Sequence, residues 1–297
     1  KWGETIKSEF TREIGKEITR LSSKPVDFRR PDIAILVNPF KGHMTFQVNP
    51  IFVGGRYRKL VVGIPQSRWL CHQCRGKGCE ECGGTGKKYL ESVHEIIEGP
   101  FLKASLGSKT EFHASGREDI DAKVLGQGRP FVIEIKHPKK RTFNLDKVRR
   151  QINRSRKVKV FDLHFTEKEA VRAVKAHEAS RKTYEVLVEV EDGNITKDDL
   201  KKVEETLSNI VVHQATPLRV LHRRADRVRV KHVYEIKTKK ISSKKFKMRL
   251  TSEGGFYVKE FINGDGGRTD PNVFKLIQKK VKCVGLSVLN IGDEGVI

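Results

Sequence analysis

Four cysteines, Cys71, Cys74, Cys79 and Cys82, constrain the fold of this chain more than any other feature of its sequence. Their spacing, C-x2-C-x4-C-x2-C, makes two short knuckles, each able to turn a pair of thiolates toward one tetrahedral metal ion. Gly76, Gly78, Gly83, Gly84 and Gly86 permit the tight turns that geometry requires. All four positions are Cys, so a Zn²⁺ bound here has no open coordination position and is structural rather than catalytic. His72 is left outside the ligand set. The fifth cysteine, Cys283, stands alone and reads as a small buried side chain.

At 297 residues the chain is long enough for two domains, each able to bury a core. Sixty Lys and Arg against 37 Asp and Glu leave a formal net charge of +23, which favours a polyanionic partner such as nucleic acid through phosphate neutralisation. No apolar run approaches the ~20 residues of a membrane span, and the start lacks the apolar core of a signal peptide. A cytoplasmic protein without membrane association is expected, where reduced thiols bind metal rather than pair as disulfides. Nothing implies an obligate protein partner.

Periodicity divides the chain into alternating elements. Thr5 to Ser22 carries Ile6, Phe10, Ile14, Ile18 and Leu21 at helical spacing and should lay one face on a sheet built from residues 32–37, 44–48 and 51–53. Arg56-Tyr57-Arg58-Lys59 interleaves basic groups with an aromatic, either an RNA contact or a solvated strand face. Gly99-Pro100 marks a junction. Thr142 to Lys157 predicts a helix whose Lys147, Arg149, Arg150, Arg154, Arg156 and Lys157 make a broad positive face. Thr166 to Ala179 predicts another, capped by Thr166. Residues 181–190 predict a strand, 195–209 a helix capped by Thr196, and 228–237 and 245–250 two more strands. A helix with Asp270 as its cap and Pro271 at its first position runs to Lys282, before a final strand that includes Leu286.

Phe112 to Lys123, followed by the apolar run Phe131 to Ile135, places Glu118, Asp119 and Asp121 beside Arg117 in a Gly-bounded loop ahead of a strand. A carboxylate held there can serve as nucleophile or general base, and spacing alone leaves Asp119 and Asp121 as rivals. Residues 214–227 form the densest basic polar run. Its Arg219, Arg223 and Arg224 offer planar forks for phosphate oxygens.

Gly116-Arg117-Glu118-Asp119 resembles the G-R-x-D signature of pseudouridine synthases. The longer G-R-E-D-x-D-x-(K/R)-x-L-G-x-G-R-P-F pattern resembles the archaeal and eukaryotic tRNA pseudouridine synthases of the Pus-ten type. The resemblance implies that Asp119 is the nucleophile. Tyr184, in the K-x-Y motif, would pack on the target base. Lys259, preceded by Val258, would lie beside the nucleophile as its ion partner. Arg117 and Arg268 would contact substrate, and Leu286 would wall the base pocket. Pro271-Asn272-Val273 departs from the family's Pro-Ser-Val after Arg268-Thr269.

The expected architecture is α+β. By the resemblance, a small zinc-containing THUMP-related RNA-binding domain, residues 1–98, precedes a mixed, largely antiparallel catalytic domain, residues 99–297. The expected activity is isomerisation of uridine to pseudouridine in the tRNA T-arm, at positions 54 and 55, with a structural zinc and no catalytic cofactor. A non-catalytic zinc-containing RNA-binding protein is the alternative. A metal-dependent nuclease would require Glu118, Asp119 and Asp121 to converge on one hard cation.

Overall fold

The computed structural model describes residues 3–176, 180–222 and 224–291. Helix α1 (Ile6–Ser22) begins where the Thr5 hydroxyl accepts the Ser8 amide at 3.2 Å, a cap that satisfies one orphan donor. Contrary to the expectation of a packed face, no α1 residue is buried. Strands β1 (Ile33–Asn38) and β2 (His43–Val48) pair antiparallel as a separate two-stranded sheet.

The predicted third member of that sheet goes elsewhere. Strand β3 (Ile51–Lys59) is buried on both faces and enters a ten-stranded sheet. Gly54 and Gly55 allow this, since a Cβ added at either would meet His164 or Leu163 at 2.7 Å. The large unit therefore begins at Ile51. Gly99 and Pro100, expected as the junction, lie inside helix α2 (Val93–Ser105).

The remaining elements follow in chain order. They are β4 (Lys109–Ala114), β5 (Ala122–Lys136), α3 (Leu145–Asn153), β6 (Val158–Thr166), α4 (Glu169–Ala176), β7 (Lys182–Val190) and α5 (Lys197–Leu207). After them come β8 (Ile210–Gln214), α6 (Leu218–Leu221), β9 (Arg229–Lys240), β10 (Lys245–Ser252), α7 (Val258–Asn263), β11 (Thr269–Asp270), α8 (Val273–Ile277) and β12 (Val281–Ile291). The sheet runs β11-β8-β9-β10-β7-β12-β5-β3-β6, with β4 also on β5. Among the described residues β12 and β5 are parallel and the other named pairs antiparallel. The architecture is thus α+β with a largely antiparallel sheet.

Local signals were displaced where a neighbouring element took the residue. Thr166 closes β6 instead of capping α4, whose predicted end at residues 177–179 lies outside the described residues. Asn272, not Asp270, caps α8 by accepting the Lys275 amide at 2.8 Å, because Asp270 is paired into β11. The helix predicted through Lys282 accordingly ends at Ile277. Thr196 caps α5 as predicted, in a box completed by Asp199.

Strand β12 splices the two halves of the sheet. Leu286 and Val288 face Ala122 and Val124 of β5 on one side, and Val186 and Tyr184 of β7 on the other. Below this joint lie Val186, Val188, Phe246, Met248, Leu250 and Phe261, all fully buried. Each contributes about 1.5–3 kcal/mol of apolar burial, so the splice is rigid ground for a site.

Candidate active site

Asp119 lies in the loop that joins β4 to β5, directly ahead of the splice. Gly116 opens the loop at φ 73°, a left-handed conformation that a glycine adopts without strain. The Glu118 side chain turns inward. Its carboxylate accepts the Tyr57 hydroxyl at 2.9 and 3.1 Å and pairs with Arg129 Nε at 2.9 Å, with both members of the ion pair buried. Burial and the charge of Glu118 push the Tyr57 phenol well above its ordinary value, so it stays a donor.

Asp119 turns outward. Its carboxylate is 40% exposed and stands 3.0 Å from Arg219 Nη1 and 3.5 Å from Lys259 Nζ. The expected partner, Lys259, is engaged more closely elsewhere, since its ammonium donates to both Asp121 oxygens at 2.6 Å. The closer cation is Arg219, whose Nε donates to buried Glu260 at 2.7 Å. Glu260 thereby aims the guanidinium at Asp119. Burial opposes both charges, but Glu260 raises Arg219 above its ordinary value and Lys259 holds Asp121 below the usual carboxylate range.

These groups open on a cleft of about 380 Å³, a size typical of small-ligand sites. Asp119, Tyr184, Lys259, Arg117, Arg219, Arg224, Val258 and Leu286 all line it. Tyr184 is 7% exposed, and burial pushes its phenol up to about 12, so it presents a neutral ring. Val258 and Lys259 begin α7. Arg268 does not line the cleft. It donates to the Thr216 carbonyl at 3.1 and 3.2 Å and pairs with Asp226, which ties down the turn behind α6. Arg223 lies outside the described residues.

Lys182, Arg229, Lys231, Phe256, Tyr257 and Val288 also line the cleft and went unnoticed in the sequence. Alternation was the available signal for two pairs. Lys182 shares a strand face with Tyr184, and Arg229 with Lys231. Seven Lys and Arg side chains besides the buried Arg129 thus line the cleft around the Asp119 carboxylate, an environment suited to a phosphate-bearing ligand.

Sulfur separations at the knuckles include 3.8 Å for Cys71 to Cys79, 3.8 Å for Cys74 to Cys82 and 3.7 Å for Cys79 to Cys82. Four ~2.3 Å metal–sulfur bonds in a tetrahedron have edges of about 3.8 Å, so the cluster can hold one metal ion. Amides of Gly78, Cys79 and Gly86 point at the Cys74 and Cys82 sulfurs at 3.2 Å. The knuckle's arms meet at a bridge between Leu70 and Lys87, and next to it the Trp69 ring lies 5.0 Å beneath the Arg117 guanidinium. Glu118, Asp119 and Asp121 do not converge as a nuclease-type cation site. Glu118 points into the core, and both Asp119 and Asp121 already face cations.

Fold and cleft together define an α+β protein that presents one carboxylate in a basic pocket beside a four-cysteine knuckle. Residues 52–292 match the family described as Pus10, C-terminal, and residues 1–38 match the archaeal Pus10 THUMP domain. The chain belongs to the Pus10 family. It is 48% identical over 278 residues to "tRNA pseudouridine synthase Pus10" of Methanocaldococcus jannaschii, covering 94% of this chain and 61% of that one. The protein of the same name from Methanococcus voltae is 46% identical, covering 98% of this chain and 57% of that one. That from Methanothermobacter marburgensis is also 46% identical, covering 98% and 72%. The chain thus spans about three fifths of the length of the first two relatives. Among solved structures, one titled "Crystal Structure of a Cbf5-Nop10-Gar1 Complex" aligns at a TM-score of 0.43 and 18% identity, over 69% of this chain and 48% of that one. The cysteines fall inside the C-terminal match, not the THUMP match.

Proposed function

We propose that this chain isomerises uridine to pseudouridine in the T-arm of tRNA, at positions 54 and 55, with Asp119 as nucleophile. The observation that carries the reading is the Asp119 carboxylate, held beside Arg219 and Lys259 at the mouth of a basic cleft walled by Tyr184 and Leu286. In the reaction the bond from N1 to C1′ breaks, the base turns over, and C5 bonds to C1′. The C5 proton leaves and N1 gains one, so neither redox equivalents nor a catalytic metal is needed. A carboxylate that attacks carbon must be ionised while partly desolvated, and the two cations stabilise that state.

The target base must leave its stack to reach Asp119. Tyr184 offers its ring to the flipped base, Val258 and Leu286 close the apolar walls, and Arg117 and Arg224 take the flanking phosphates. The four cysteines hold a structural Zn²⁺ that supplies no step of the chemistry and braces the knuckle under Arg117. The protein acts in the cytoplasm, where tRNA is its partner. The helices among the described residues include none long and apolar enough to cross a membrane.

The test is to incubate tRNA transcripts with the purified protein and map pseudouridine by mass spectrometry. Product at positions 54 and 55, absent with Asp119→Asn, is expected. Tight tRNA binding with no pseudouridine from the unaltered protein would favour the non-catalytic RNA-binding alternative.

A further inference from the structure

Beneath the loop that carries Asp119 lies a buried ammonium that the chemistry just described does not use. Lys59, the last residue of β3, is 0% exposed, and its Nζ donates to the carbonyls of Ile64 at 2.9 Å, Asp119 at 3.0 Å and Ile120 at 3.2 Å. Three donors meet three acceptors, and two of those acceptors belong to the proposed nucleophile and its neighbour. Among the described residues no carboxylate lies within hydrogen-bond distance of the ammonium. Glu118 acts on it only through the field.

A buried lysine is often no more than a satisfied one, but two of the three carbonyls it reaches, those of Asp119 and Ile120, have other donors. The Asp119 carbonyl already accepts the Ala122 amide at 3.1 Å, and the Ile120 carbonyl already accepts the Gly63 amide at 2.9 Å. An apolar side chain at position 59 would leave both carbonyls bonded and would avoid the desolvation of a charge, which opposes folding. What the ammonium adds is a second, charge-assisted anchor on each carbonyl. With both lone pairs of the Asp119 carbonyl engaged, the peptide plane is fixed, and with it the direction of the Cα–Cβ bond. The rest of the loop is held the same way. Gln66 donates to the Gly116 carbonyl at 3.0 Å, Arg129 donates to the Ser115 carbonyl, and the Glu118 carboxylate is gripped by Tyr57 and Arg129.

We propose that Lys59 is a positioning residue for Asp119: its buried ammonium grips the carbonyls of Asp119 and Ile120 from below and so holds the nucleophile at a fixed angle to the cleft. The effect on rate rests on the function proposed above. The effect on the loop does not.

The experiment compares the full chain with Lys59→Met, which keeps length and loses all donors, and with Lys59→Gln, which keeps two donors and loses the charge. Two quantities are read, hydrogen exchange of the peptide spanning residues 116–124 and the single-turnover rate of pseudouridine formation at saturating tRNA. Lys59→Met should speed exchange at least tenfold in that peptide and leave β7, β9 and β10 unchanged. It should lower the single-turnover rate at least a hundredfold with tRNA Kd within threefold, and Lys59→Gln should fall between. If Lys59→Met does not fold, Lys59→Gln decides on the same two readouts. Unchanged exchange in residues 116–124, exchange raised evenly across the sheet, or a loosened loop with an undiminished rate would each overturn the proposal. Should the unaltered chain make no pseudouridine, the proposed function fails, and the exchange arm alone still decides whether Lys59 holds the loop.

Discussion

Two neighbouring carboxylates, Glu118 and Asp119, part company over a single peptide bond in the loop between β4 and β5. One is sealed against Arg129 and Tyr57, and the other looks into the cleft with Arg219 at 3.0 Å. Asp119→Asn keeps the shape and removes the charge, so single-turnover pseudouridine formation should fall by roughly a thousandfold or more while tRNA affinity stays nearly intact. Asp121→Asn should behave differently. It frees Lys259 from its two 2.6 Å bonds and lets the ammonium close on Asp119, so turnover should persist within about tenfold of the original. An active Asp119→Asn beside a dead Asp121→Asn would assign the nucleophile to Asp121. Glu118→Gln tests the sealed acid: it leaves the Arg129 guanidinium buried without its counter-charge and should destabilise the protein by about 3–5 kcal/mol, read as a lowered midpoint in urea.

At the scale of elements, the knuckle and α2 are joined by charge. Glu95, in the first turn of α2, accepts the Ser92 hydroxyl at 2.8 Å, pairs with Arg68 at 2.9 Å and also pairs with Lys87 of the knuckle's second arm. Burial works against its charge, but Lys87, Ser92 and Arg68 outweigh it and hold Glu95 below the usual carboxylate value. A depressed folded pKa means that this stabilisation is fully present above the unfolded value near 4.5 and is lost as pH falls through the folded one. Glu95→Gln should therefore cost about 1 kcal/mol at pH 7 and flatten the stability profile below about pH 4.5, measured by urea unfolding across pH. If the cysteines hold structural zinc, chelation or Cys74→Ser should release one equivalent of metal and loosen residues 69–89. Single-turnover rate at saturating tRNA should then change less than stability does. Equal loss of both with the fold intact would make the metal part of the chemistry.

Across the whole molecule, the excess of positive charge has to act through particular faces. The splice at β12 brings Arg117, Arg224, Arg229 and Lys231 to one cleft, while α3 stands on β6 at the edge of the sheet. Arg224→Ala and Lys147→Ala should each weaken tRNA binding and flatten its log–log salt slope by ~0.7 if the contact is to single-stranded backbone. An unchanged slope for Lys147→Ala would make α3 ordinary solvated surface. Arg219 is excluded from that set, because its guanidinium is committed to Glu260 and Asp119.

What the sequence determined by itself is what depends on residues near one another in the chain. The C-x2-C-x4-C-x2-C spacing, the Thr196 cap of α5, the β7, β9 and β10 strands, and the Gly116-Arg117-Glu118-Asp119 loop ahead of β5 were all legible, since turns, caps and alternation are local patterns. What only the tertiary structure decided is which distant partner each group meets. Arg219, 100 positions beyond Asp119, read as an RNA contact and proves to be the nearer cation to its carboxylate. Tyr57 and Lys59 read as part of a basic surface cluster, yet they are buried beneath the loop, because β3 leaves the small N-terminal sheet and enters the large one between β5 and β6. Strand alternation fixes that Tyr57 and Lys59 share a face, but not what lies against that face. That depends on sheet order, a property of long-range pairing that local spacing does not encode.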